Sequence, residues 1–112
     1  MTVRTYRIQV TGYFDRPEEA VRQRLLQQQP EHDVVNSAFC PEGSFSYTPT
    51  LTRFTFRYLL SVDEDAREEA DSVAAFEGEL RATEYLSSRG YPFKPLAVAA
   101  TCMDDVKVRR RK

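Results

Sequence analysis

An α+β sandwich with the element order β-α-β-β-α-β is predicted for this chain by three observations. Two stretches, Val3–Phe14 and Thr52–Val62, alternate apolar and polar residues with period two. Two others, 15–30 and 63–90, carry apolar residues at three-and-four spacing and end at Pro or Gly. A Pro-Thr turn signal inside Tyr47–Leu51 joins the two middle strands as a hairpin.

In the first strand Tyr6, Ile8, Val10 and Phe14 share one parity, and Arg7, Gln9, Thr11 and Tyr13 share the other. Gly12 interrupts the apolar parity and marks a bulge or a close backbone approach. Asp15 is placed as the N-cap of the first helix, with Glu18 completing a capping box and Pro17 in the first turn. Val21 and Leu25 form its apolar stripe beside Ala20, and Pro30 stops it. The second strand is expected to run from Phe39 to Tyr47. In the third, Phe54, Phe56, Tyr58, Leu60 and Val62 take the core side, while Arg53, Thr55, Arg57 and Ser61 take the other. The long second helix starts acidic, as the helix dipole favours, and its predicted core stripe is Ala66, Ala70, Val73, Phe76 and Leu80. Gly90 is its C-terminal glycine and Pro92 blocks continuation. Pro95–Met103 is the last strand.

One hairpin and two helical connections give a four-stranded antiparallel sheet in the order 4-1-3-2 with two helices on one face, the ferredoxin-like sandwich. Residues 1–106 make a single domain and 107–112 a basic C-terminal tail. Placing Pro49 and Thr50 at the hairpin tip pairs Phe45 with Phe54 and Tyr47 with Thr52. Carried back along the ladder, Phe39 then faces Leu60 on the core side. Cys40 faces Leu59, Glu42 faces Arg57 and Ser46 faces Arg53 on the open side. Pro41 and Gly43 predict a bulge or kink there.

The chain has 112 residues, the size of one domain, and a net charge of -1 from 16 basic and 17 acidic side chains. No global field draws it to nucleic acid or to an anionic membrane. The third strand, where an RNA-binding sheet carries its signature and stacking aromatics, lacks the signature and has its aromatics on the core parity. The N-terminus has no signal-peptide core and no apolar run approaches the ~20 residues of a membrane span, so a cytoplasmic protein is expected. Two cysteines, Cys40 and Cys102, make no disulfide framework.

His32, Asp33, Cys40 and Glu42 lack the paired spacing of metal ligands, so no metal is expected, and no cofactor motif is present. Cys40 with His32, the sole histidine, is the one Cys-His pair that could be built, and it lacks a visible orienting group. Cys102 reads as a strand packing residue. Arg16 falls where acylphosphatases carry a phosphate-binding arginine, but the glycine-rich cradle of those enzymes is absent, and Asp15 and Pro17 disfavour an anion. Arg7, Arg53 and Arg57 are different. With strands one and three adjacent, all three lie on the open face among Gln9, Thr11, Tyr13, Ser44, Ser46, Thr55 and Thr101. Guanidinium groups in such a setting bind carboxylate or phosphate in bidentate fashion, or simply pair with acids such as Glu42. Arg7, Arg53, Arg57, Tyr13 and Gln9 are the candidate ligand-binding residues.

The run Glu31-His32-Asp33, then Ala38-Phe39-x-Pro41-Glu42-Gly43-Ser44, then Phe54-Thr55-x-Arg57-Tyr58 resembles an uncharacterised family of small actinobacterial proteins, over most of the chain. The resemblance implies a bacterial cytoplasmic protein of one domain and carries over no catalytic residue. The function expected is a non-catalytic binding or accessory protein, holding a small organic anion on the open sheet face or in a homodimer pocket formed through that face. The alternative is a cofactor-independent enzyme of the dimeric α/β-barrel type, acting on a small aromatic or carboxylate metabolite with Tyr13, Arg57, Cys40 and His32 as contributors. The polar open face argues against sheet-to-sheet packing, which favours apolar patches.

Overall fold

The computed structural model describes residues 3–32 and 38–103, without the side chains at 31 and 32. Strands β1 (Val3–Tyr13), β2 (Ser44–Tyr47), β3 (Arg53–Asp63) and β4 (Ala97–Cys102) alternate with helices α1 (Glu19–Gln28) and α2 (Arg67–Ser88) in the predicted order. The strands form one antiparallel sheet, β2-β3-β1-β4, which is the predicted 4-1-3-2 read from the other edge. A 3-10 turn at Gln29–His32 follows α1. The basic tail lies outside the described residues.

Parity along the strands decides which face is the core. Tyr6, Ile8, Val10 and Phe14 pack with Phe54, Phe56, Tyr58, Leu60 and Val62, with Phe45 and Tyr47 from β2, and with Leu25 of α1 and Ala70, Ala74, Ala82 and Leu86 of α2. Both helices therefore cover the same face. Stacked and edge-on ring contacts run through Phe45, Phe54, Phe56 and Tyr58. Such pairs stabilise beyond the area they bury. The Tyr47 hydroxyl donates to the Leu25 carbonyl at 2.7 Å and ties α1 to the sheet from inside the core.

The α2 stripe differs from the predicted one. Ala70, Ala74, Gly78, Ala82 and Leu86 face the sheet at i, i+4 spacing, while Val73, Phe76 and Leu80 are 44 %, 65 % and 40 % exposed. The sheet supplies large rings, so the helix must supply small residues to come close. A Cβ at Gly78 would stand 2.4 Å from Ile8 Cγ2. Gly12 is the matching feature in β1: its Cβ would meet Leu96 and Phe54 at 2.8 Å, which makes it a close approach and not a bulge. The end of α2 is as predicted. Gly90, at φ 72°, donates to Ser87 and Tyr91 donates to Leu86, the paired bonds of a Schellman motif.

Helix α1 starts later than predicted, and Asp15 does not cap it. The chain stays extended past Tyr13, because Phe14 N–H donates to Thr52 O, Asp15 N–H donates to Pro92 O, and Lys94 N–H returns to Tyr13 O. Arg16 turns through φ 48°, and Glu18 becomes the N-cap residue without a side-chain cap bond.

The hairpin register is shifted by two residues, so parity is kept: Phe45 faces Phe56, Tyr47 faces Phe54 and Ser44 faces Arg57. A two-residue tip needs φ > 0 at its first central position, which Pro49 cannot adopt. The loop lengthens instead. Leu51 N–H donates to Thr48 O, and Leu51 takes φ 56° with its side chain buried.

Candidate functional site

The face opposite the helices carries Arg7, Gln9, Thr11 and Tyr13 from β1, Arg53, Thr55, Arg57 and Leu59 from β3, and Ala97, Ala99 and Thr101 from β4. Gln9 stands directly across from Arg57 and Arg7 directly across from Leu59. Arg7 and Arg57 are thus diagonal neighbours, with Cβ atoms about 7–8 Å apart, close enough for long side chains to converge. Two of the three sequence-predicted arginines, Arg7 and Arg57, point at one further group. The Phe39 ring lies 5.3 Å from the Arg7 guanidinium carbon and 5.9 Å from that of Arg57. A ring within about 6 Å of a guanidinium group attracts it through the ring quadrupole, so Phe39 holds both arginines beside it.

Phe39 was expected on the core side opposite Leu60, and the structure overturns this. Residues 38–43 do not continue the ladder; they cross from one face of the sheet to the other. The Ser44 hydroxyl, on the open face, accepts from Ala38 N–H and donates to Ala38 O, which holds residues 38 and 39 over that face and leaves Ser46 buried. The Cys40 carbonyl then accepts from Leu59 N–H at the sheet edge. Pro41 continues onto the helix side, where its carbonyl accepts from Arg81 Nη1. Gly43, at φ 88°, lies against the Tyr58 ring, where any Cβ would collide.

Glu42 in consequence lines a cleft with Tyr58, Arg81, Glu84 and Tyr85. The expected Glu42–Arg57 contact does not form, because the two residues lie on opposite sides of the sheet.

The remaining candidates separate along the face. Gln9 belongs with Arg7 and Arg57. Arg53 pairs across the ladder with Tyr13 at the far end, four residues or roughly 13 Å along the strand from Arg57. Of the residues suggested for an enzyme, the described ones, Tyr13, Arg57 and Cys40, are not gathered into one site. Tyr13 is at one end of the sheet, Cys40 is at the β3 edge, and the His32 side chain and Asp33 lie outside the described residues. Both described thiols are free, with Cys102 buried on the opposite edge strand. Among the described residues no three His, Cys, Asp or Glu side chains are grouped as metal ligands, and no helix is long and apolar enough to cross a membrane.

A second polar cluster sits on the helix side. The Tyr6 hydroxyl donates to Asp71 Oδ1, and Arg67 Nε donates to the same oxygen at 3.0 Å. The Tyr6 hydrogen bond, then Arg67, hold the Asp71 carboxyl below the usual range against the opposing cost of burial. Burial first, then the Asp71 hydrogen bond, push the Tyr6 phenol up. The cluster therefore keeps one proton on Tyr6 and one charge on Asp71, and so fixes the first turns of α2 to β1.

The whole chain, residues 1–112, matches the family of unknown function DUF6204. The chain belongs to DUF6204. No curated protein and no solved structure matches it. The face that the helices leave uncovered in this DUF6204 chain brings together two arginines, one ring and one glutamine amide.

Proposed function

We propose that this DUF6204 protein binds a small organic anion, a carboxylate or a phosphate, on the sheet face at Arg7, Gln9 and Arg57, beside the Phe39 ring, as a binding or accessory protein and not as a catalyst. The observation that carries the reading is the convergence of two guanidinium groups on Phe39. Among the described residues Arg7 meets that ring and no acid, so its planar fork of donors is presented outward, the geometry that carboxylates and phosphates accept in pairs. The ring offers apolar contact to the organic part of the same ligand. Arg53 and Tyr13, at the other end of the face, form a flank and not the core of the site. A bacterial cytoplasmic setting is part of the proposal. Its support is the two free thiols, which suit a reducing compartment, and the family resemblance of the Glu31–Tyr58 motifs.

Thermal unfolding in the presence of organic acids, phosphates and aromatic carboxylates tests this. A ligand at 100 times its Kd stabilises by about 2.7 kcal/mol and raises Tm. The shift is expected to disappear in Arg7→Ala and in Arg57→Ala and to persist in Arg53→Ala. Absence of a shift with every anion, or a shift indifferent to Arg7 and Arg57, overturns the proposal.

A further inference from the structure

We infer that this chain forms a two-fold dimer by pairing the end of β3 with β3 of a second copy, at the sheet edge and not through the sheet face. Strand β3 has 11 residues but β2 has 4, and the β2 ladder covers only Phe54–Arg57. Beyond it, Leu59 N–H is taken by Cys40 O. N–H and C=O groups alternate between the two sides of a strand. Leu59 therefore shows that Ser61 and Asp63 also aim their backbone groups outward, and among the described residues neither has a ladder partner there. Natural edges are blunted by charged side chains, proline or a bulge. From Leu60 to Asp63 the edge has no proline or bulge, and its one charge is Asp63.

Of the exposed apolar residues of α2, Val73 stands beside this edge. A groove of about 480 Å³ separates edge from helix; Leu60, Val62, Val73, Glu77 and Arg81 line it, and Pro41 lies on its wall.

A second copy fits because the edge is complementary to itself in one register. Centring the two-fold axis on Ser61 would bring Asp63 of the second copy against Leu59, whose N–H is already engaged by Cys40. Centring it on Asp63 would set two carboxylates face to face, which is repulsive across a ladder. Centring it on Val62 pairs each Ser61 with Asp63 of the other copy. Four backbone hydrogen bonds then form. Each Ser61 hydroxyl faces a carboxylate on the open side of the sheet, and the two Val62 side chains meet on the helix side beneath Val73. The Val73 side chains of the two α2 helices face one another across the same axis. The Arg7 and Arg57 face stays uncovered, so this assembly stands independently of the anion-binding reading.

Sedimentation velocity over a concentration series tests it, with amide hydrogen exchange as a second readout. Ser61→Pro removes only an outward N–H, a position where an edge strand tolerates proline. Val73→Lys alters a side chain that is already 44 % exposed and places two like charges at the axis. The wild type is expected to dimerise, with the Ser61 and Asp63 amides gaining protection as concentration rises. Each variant is expected to stay folded and to weaken the dimer by about tenfold or more, the equivalent of one or two lost hydrogen bonds. A wild type that remains monomeric at every concentration overturns the inference. So does a dimer unaffected in Val73→Lys, or one whose Ser61 and Asp63 amides exchange as in the monomer. Protection of those amides only when a different protein is added also overturns it and assigns the edge to another partner.

Discussion

Replacing Gly78 by alanine sets two well-measured effects against each other. In an exposed helix interior the change stabilises by about 0.8–1 kcal/mol, because glycine has the greater backbone freedom to lose. At Gly78 the new methyl would lie 2.4 Å from Ile8 Cγ2, and Ile8 is fully buried at the centre of the sheet. Ordinary carbon contacts start near 3.5 Å, so α2 must lift from β1 by about 1 Å or Ile8 must leave its rotamer, and overpacking of this kind costs about 1–3 kcal/mol. The net expectation is destabilisation by up to about 2 kcal/mol, a Tm lower by as much as about 15 °C for a domain of this size. Urea unfolding followed by circular dichroism measures it. The second arm is Ile8→Leu, which removes the branch methyl that Cγ2 represents. Combined with Gly78→Ala it should recover most of the loss, giving a coupling energy of about 1 kcal/mol in the double-mutant cycle. If Gly78→Ala alone raises stability by about 1 kcal/mol, as at a solvent-exposed site, then α2 does not approach β1 through its small-residue stripe and the packing argument fails.

The remaining predictions concern the aromatic core. Tyr47→Phe leaves the Leu25 carbonyl without its buried donor and should cost about 1–3 kcal/mol, with faster amide exchange concentrated in α1, whereas uniform loss across the domain would contradict the tie between α1 and β2. Alkaline pH should also destabilise the fold. Burial pushes the Tyr58 phenol from its ordinary 10.0 up to about 12, and burial raises Tyr6 and Tyr85 in the same direction. The folded protein holds these protons more tightly than the unfolded chain. Their contribution is therefore complete below pH 10 and is lost as pH rises from 10 through the raised folded values. A pH titration of unfolding free energy should fall in that window, and Tyr58→Phe should flatten the fall.

Much of the architecture was readable because period-two and helical patterns speak directly about which side of an element is buried. Tyr6, Ile8 and Val10 in β1 and Phe54 through Val62 in β3 leave one choice of core face, and a hairpin between helical links leaves few topologies. Arg7, Gln9 and Arg57 could be placed on the open face by the same parity, since a two-residue register shift keeps every side chain on its face. Phe39 could not. Its face depends on a segment that leaves the ladder, and the only warning was Pro41 and Gly43, which say that pairing fails but not where the chain goes. The α2 stripe was misread for a related reason: large apolar residues dominate a hydrophobic pattern, yet Ala74, Gly78 and Ala82 sit inside because the opposing sheet is already full of rings.

From the sequence alone came the β-α-β-β-α-β order, the sheet order and the parity of β1, of β3 and of Phe45 and Tyr47 in β2, because these rest on local periodicity and on a small menu of connections. Pro49 already forbids the short turn from the sequence, but tertiary structure decided the register that replaces it, through a Leu51 that gains burial by adopting a left-handed conformation. It also decided that residues 38–43 wrap the sheet edge, bringing Phe39 to Arg7 and Arg57 and sending Glu42 to the other side. Among the described residues, the outer edge of β3 past Leu59 has no strand beside it for the same reason. These outcomes depend on contacts between residues far apart in the chain, whose balance no local pattern records.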